Sequence, residues 1–263
     1  MQKDLVVTGG SGEQGFKDHF SRQADGYARY RPTYPPELFR YLTSLADSPS
    51  VCWDCATGNG QAAIALAEHF GQVIASDASE AQIAQAAAHP GVSYRVATAE
   101  RSGLDSGSVE LVTVGQAFHW FDAAAFFREA KRVLRPKGVL ALWCYGVCEV
   151  SEECDAVIDR LYSGIVGDFW PPERAMIEQG YAGVELPGMP IAAPSFDMSL
   201  DWTAADMLGY LRTWSAVKHY EAAHGSDPVA EIEASLHEAW GASRRRVSWP
   251  LKLKISRPNT LLE

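Results

Sequence analysis

Asp54, Gly58, Gly60 and Asp77 combine two acids with a tight glycine turn, a combination that can hold a small charged ligand. Glycine lets a backbone approach a ligand closely, and a helix starting at the turn points its free N–H groups towards it. Gly58-Asn59-Gly60-Gln61-Ala62-Ala63 satisfies the GxGxxA pattern of dinucleotide sites, so a pyrophosphate is one candidate. Asp54 argues for another. An acid there can hold a cationic amine, or anchor the turn that does, whereas a pyrophosphate prefers no negative charge nearby. A second cluster is QAFHWFD, residues 116–122. His119 in it can act as a general base towards a hydroxyl or amine, or make a structural hydrogen bond to the next helix turn.

Alternating strands and helices must position these residues. Ser50–Trp53 reads as a buried strand, Asp54–Gly60 as its turn, Gln61–Phe70 as an alanine-rich helix stopped by Gly71, and Val73–Ser76 as a second strand ending at Asp77. Before this βαβ unit, Phe16–Pro36 predicts a short helix and an extended crossing segment, and Leu38, Tyr41, Leu42 and Leu45 form one face of a helix over 37–45. After it, Ser79 and Gln82 cap a helix reaching about Ala88, and Val92–Val96 and Val109–Val114 are strands. Asp122 caps a helix burying Phe126, Phe127, Ala130, Val133 and Leu134, Pro136 and Gly138 stop it, and Val139–Cys144 is a fifth strand. The alternation implies a parallel, doubly wound α/β sheet with ligand sites at the strands' carboxyl ends. Residues 147–190 read as helical and irregular, broken at Trp170-Pro171-Pro172 and Pro187–Pro190. Ser195–Trp202 alternates like a half-exposed strand, helices cover 204–219 and 228–240, and Val247–Ile255 is a last strand whose Pro250 suits an edge.

Bulk properties narrow the function. A chain of 263 residues, 47% hydrophobic, is long enough for one large α/β domain with an insertion, and a net charge of −10 argues against a nucleic-acid backbone as partner. Five cysteines form no disulfide framework, and the CxxC of Cys52 and Cys55 falls across a strand and its turn, so a reducing compartment is expected. No apolar run spans a membrane and no leader opens the chain, which points to the cytoplasm. The seven histidines are scattered, so no metal site is expected, and Arg244–Arg246 read as a solvated face. The oligomeric state stays open.

The arrangement Asp54-x-Ala56-x-Gly58-x-Gly60 resembles the D-x-G-x-G-x-G motif of class I S-adenosylmethionine-dependent methyltransferases, with Ala56 in place of the first glycine. The resemblance implies a seven-stranded Rossmann-like sheet with its last strand antiparallel, a helical cap, and S-adenosylmethionine as cofactor. It also implies that Ala56, Thr57, Gly58 and Gly60 pass under the methionine and ribose portions, and that Asp77, followed by Ala78, accepts from the ribose hydroxyls. Thr98, Ala99 and Glu100 match the family's Asp-Ala-Glu beside the adenine, with threonine replacing the acid, and Gln116 borders the methionine part. Tyr27, Tyr30 and Arg31 would fold over the cofactor's carboxylate; the alternative is a solvated arm with aromatic anchors.

A nearer resemblance is to the trans-aconitate methyltransferase-like subfamily, carried by YARYRPTYP (27–35), QAFHWFD (116–122), RVLRPKGVLALWCYG (132–146) and YLRTWSA (210–216). It implies a small acceptor that can be an anion, a carboxylic acid methylated on oxygen, and a carboxylate needs no base. His119, Trp120, Tyr145 and Arg212 would face it, with Arg212 either clamping an anion or serving the surface, and Trp143 filling core. The expected organisation is a mobile arm (1–15), a cofactor-binding core (16–146), a cap (147–194), and a C-terminal part (195–263) completing the sheet and acceptor pocket. Two alternatives remain open: a nicotinamide-dependent oxidoreductase using the GxGxxA turn, and a non-catalytic S-adenosylmethionine-binding protein.

Overall fold

The computed structural model describes residues 30–260. The expected arm over 1–15, the short helix after Phe16, and Tyr27 lie outside them. Helix α1 (Pro36–Ser44) leads into β1 (Val51–Cys55), α2 (Gln61–Ala67), β2 (Gln72–Asp77), α3 (Glu80–Gln85), β3 (Val92–Val96), β4 (Val109–Gly115), α4 (Ala123–Val133) and β5 (Leu134–Tyr145). These strands pair in parallel in the order β3-β2-β1-β4-β5. The carboxyl ends of β1, β2, β4 and β5 therefore open on one edge, where Asp77, Cys55, Gly115 and Tyr145 end their strands.

Period-two alternation gives β1, β2, β4 and β5 two buried faces, while β3 lies half-exposed at the edge. Cys52, Val73, Leu111, Ala141 and Trp143 meet Leu38, Phe39 and Leu42 of α1 and Ala63 and Leu66 of α2 on one side. Trp53, Ile74, Val112, Val114, Leu140 and Leu142 meet Phe126, Ala130 and Val133 of α4 on the other. Ser79 and Asp122 cap α3 and α4 as their positions suggest: Ser79 Oγ accepts from Gln82 N, and Asp122 Oδ1 from Ala125 N. Helix α3 stops at Gln85 because Ala86 turns extended.

Beyond β5 the chain builds the cap from α5 (Glu152–Asp159), α7 (Ala204–Leu211), α8 (Ser215–His224) and α9 (Ala230–Trp240), while α6 (Arg174–Glu178) lies beneath it with Ile177 packed into the sheet's own core. An aromatic core holds it together, with Trp202, Tyr210, Trp214, Trp240 and Trp249 all buried. Thr203 and Asp206 form a complete capping box at α7.

The sheet reaches seven strands by a different route from the one the pattern suggests. The segment 195–202 forms only β7 (Ser199–Trp202), which pairs with β8 (Arg245–Ser248) in a separate two-stranded sheet within the cap. The seventh strand of the main sheet is β6 (Met189–Ile191), in the stretch whose prolines read as breakers; at the sheet's edge Pro190 removes a donor the sheet does not need. The run 247–255 breaks at Trp249-Pro250, and β9 (Leu251–Arg257) inserts antiparallel between β5 and β6, so Pro250 marks a break between sheets and not an edge. The helix expected over 204–219 is likewise interrupted, at 212–214. The chain thus crosses between sheet and cap four times: after Tyr145, before Met189, after Ile191, and between Ser248 and Leu251. Among the described residues, no helix is long and apolar enough to cross a membrane.

Candidate active site

Asp54 lies at the base of the glycine turn, only 1% exposed. Its Oδ1 accepts from Thr113 Oγ1 at 2.7 Å, across to β4, and its Oδ2 from Thr57 Oγ1 at 2.6 Å. Burial lifts its carboxyl to about 6, against the opposing pull of the two hydroxyls. A cation brought to it would restore the charge that burial disfavours.

Three residues within the turn adopt the left-handed region: Ala56 (φ 54°), Gly58 (φ 57°) and Gly60 (φ 87°). For glycine this is free; for Ala56 it costs roughly 1–2 kcal/mol. The alanine therefore keeps the turn's shape and bears strain in doing so. Gly60 has a further constraint, because a Cβ there would sit 2.3 Å from Tyr94 Oη. The backbone of this turn fits a ligand that comes close to the chain. Asp77 fixes it from β2, its Oδ2 accepting from Gly58 N and its Oδ1 from Ser79 N, each at 2.9 Å. Ala78 lies between, half-buried.

Thr98 is exposed, Ala99 is buried, and Glu100 accepts from Asp122 N at 3.1 Å, bracing the start of α4. Gln116, also left-handed (φ 56°), spends both ends of its amide on Tyr145: Nε2 donates to the Tyr145 carbonyl and Oε1 accepts from its N–H, each at 3.0 Å. It prolongs the β4–β5 pairing past the strand end. The segment after Tyr30 spans the same edge. Gln61 Nε2 donates to the Pro32 carbonyl at 3.2 Å, and Arg31 Nη1 donates to Tyr145 Oη at 3.4 Å, its guanidinium 6.0 Å from the Tyr210 ring centroid. Trp143 is fully buried against Tyr34 and Phe39, as core.

His119 sits in a 3₁₀ turn, Phe118–Trp120, with the Trp120 ring 4.8 Å from its own. Its Nδ1 lies 3.2 Å from Tyr181 Oη, a residue 62 positions away. Burial, with the nearby Arg174 cation adding, pushes the imidazole down to about 3. Tyr181 is 1% exposed, and burial holds its phenol well above the usual range.

Arg212 is engaged elsewhere. Its Nε pairs with Asp227 Oδ2 at 2.8 Å and its Nη2 with Glu233 Oε2 at 3.0 Å, tying the end of α7 to α9. Thr113, Arg174 and Tyr181 were not singled out by the sequence. Thr113 interrupts an apolar run, which is a usable signal; the other two lie in short irregular segments with none. Among the described residues no group of three or more His, Cys, Asp or Glu is placed to hold a metal ion, and the five cysteines are buried free thiols.

The methyltransferase domain family matches residues 53–142. A "putative methyltransferase" of Dictyostelium discoideum is 34% identical over 229 residues, covering 86% of this chain and 87% of the relative. The solved structure of a "putative type II methyltransferase" from Anaeromyxobacter dehalogenans is 44% identical and covers 88% of this chain and 99% of its own, with a TM-score of 0.82. A "putative methyltransferase" structure from Bacillus halodurans, 20% identical with a TM-score of 0.50, shares the fold. These likenesses favour methyl transfer over the hydride transfer that GxGxxA alone left open. With its motif, its sheet order and these relatives, the chain belongs to the class I S-adenosylmethionine-dependent methyltransferases, and S-adenosylmethionine is its cofactor.

Proposed function

We propose that this enzyme methylates a carboxylate oxygen of a small organic acid at the carboxyl ends of β4 and β5. The observation that carries this reading is His119, buried and pushed down to about 3. At neutral pH such a ring is uncharged and a weak base. A hydroxyl or amine acceptor needs a base; a carboxylate does not. When bound, S-adenosylmethionine supplies a sulfonium methyl, so the carboxylate oxygen forms the new C–O bond as the C–S bond breaks, giving a methyl ester and S-adenosylhomocysteine with no proton to remove. The resemblance to the trans-aconitate methyltransferase-like proteins supports the same acceptor class.

In this reading Asp54, Ala56, Thr57, Gly58 and Gly60 hold the methionine and ribose portions, and Asp77 with Ala78 the ribose. Thr98, Ala99 and Glu100 border the adenine, and Gln116 keeps the Tyr145 backbone beside the methionine. Arg31, with Tyr27, meets the cofactor's carboxylate. His119, Trp120 and Tyr145 border the acceptor, while Arg212 serves stability. A compartment that keeps the five thiols reduced, the cytoplasm, suits the protein.

The test is calorimetric titration with S-adenosylhomocysteine, followed by an activity screen of small acids, alcohols and amines with S-adenosylmethionine. Turnover confined to acids is expected. Turnover of alcohols or amines and of no acid would overturn the acceptor class.

A further inference from the structure

The phenol of Tyr181 keeps its proton, because burial holds it well above the usual range. Its O–H is placed to donate to His119 Nδ1, 3.2 Å away. A neutral imidazole that accepts at Nδ1 carries its proton on Nε2 and presents a donor there. The backbone is arranged to hold this contact. Gly180 and Tyr181 both have φ 58°, a left-handed conformation that strains an aromatic residue. Such strain persists where the surroundings over-determine a position, and it concentrates at functional sites.

Arg174 opens α6, which packs on the turn carrying His119. Its guanidinium lies 4.7 Å from the Trp170 ring centroid and 5.5 Å from that of Tyr162, and its Nε donates to Tyr162 Oη at 3.0 Å. Glu178, one turn further on, is taken by the Tyr162 hydroxyl. No carboxylate of the described residues lies within ion-pair distance of Arg174, in contrast to Arg132, Arg135, Arg212 and Arg246. A half-buried, aromatic-backed guanidinium is a fork suited to a planar anion.

We propose that Arg174 is the specificity-determining cation for the acceptor and that Tyr181 is the positioning residue that fixes the His119 tautomer by donating to its Nδ1, so that both His119 and Arg174 meet the acceptor as hydrogen-bond donors and select an anion. The proposal rests on the acceptor class assigned above and replaces Arg212 as the clamp. An N–H and a guanidinium offer no acceptor atoms, so neither takes the proton of an alcohol or ammonium group, whereas a carboxylate satisfies both donors.

Steady-state kinetics with the best acid from the screen, together with ring-nitrogen NMR of His119, test it. Arg174→Gln is expected to raise KM about tenfold or more, with kcat within threefold and affinity for S-adenosylhomocysteine unchanged, and Arg174→Lys to fall between. The NMR spectrum should show the Nε2–H tautomer, and Tyr181→Phe should lower kcat while the ring becomes a mixture of tautomers. A KM within twofold of the unmodified enzyme in Arg174→Gln, or in Arg174→Lys should the first variant not fold, overturns the role of Arg174. A proton found on Nδ1 overturns that of Tyr181. If no acid is turned over, the acceptor reading fails and takes Arg174 with it, while the tautomer measurement still decides Tyr181.

Discussion

The two sides of the site are built by different means. On the β1–β2 side, the shape comes from backbone: left-handed turn residues, two carboxylates tied to neighbouring N–H and O–H groups, and a helix start, all between Asp54 and Ser79. On the cap side it comes from side chains of remote segments, with His119 meeting Tyr181, and Arg174 lying on Tyr162 and Trp170. A family can keep the first while rebuilding the second, which is how one cofactor site serves many acceptors.

The sharpest way to break this comparison is at Gly60. Gly60→Val adds a β-branched side chain at φ 87° with a Cβ 2.3 Å from Tyr94 Oη. A loss of about 3 kcal/mol in stability and roughly a hundredfold in S-adenosylhomocysteine affinity is expected, read by denaturant unfolding and calorimetry. His119→Ala probes the other side: turnover should fall roughly a hundredfold with cofactor affinity within twofold, and a collapse of cofactor binding would make the residue structural.

A pH series then separates the two. Because burial raises Asp54 from 3.8 to about 6, the folded protein holds that proton more tightly than the unfolded chain, so this group's contribution to stability falls as pH rises between those values. If the ionised Asp54 holds the cofactor's amine, S-adenosylhomocysteine affinity weakens by up to about tenfold per pH unit below 6. An affinity flat from pH 5 to 7 would leave Asp54 as an anchor of the turn alone. Smaller effects follow. Arg212→Ala should cost about 0.5–1 kcal/mol, since both its ion pairs are partly exposed, and leave KM unchanged. Ala56→Gly should stabilise by about 0.5 kcal/mol, the relief of left-handed strain exceeding glycine's entropy, and appear as a small rise in Tm.

The same contrast explains what could be read in advance. Asp54, Gly58, Gly60 and Asp77 are neighbours in sequence, so their spacing alone reports their geometry, and apolar periodicity located five parallel strands. Tyr181 and Arg174 carry no such signal, because α6 has five residues, too few for periodicity, and their partners lie far along the chain. Arg212 shows the converse: an arginine in a recognisable motif, YLRTWSA, whose carboxylate partners at 227 and 233 only the folded chain reveals. At β6 the prolines hid a strand, since Pro190 is compatible with a strand only at an edge and edge position is a property of the whole sheet.

The four crossings between sheet and cap bear on how molecules enter and leave. A roof joined by one connection can swing open on a hinge; one stitched down at four points, two of them side by side where Tyr145 pairs with Leu251, can only slide. A cap held in this way is not expected to swing clear of the sheet, so turnover should not await a large rearrangement of it.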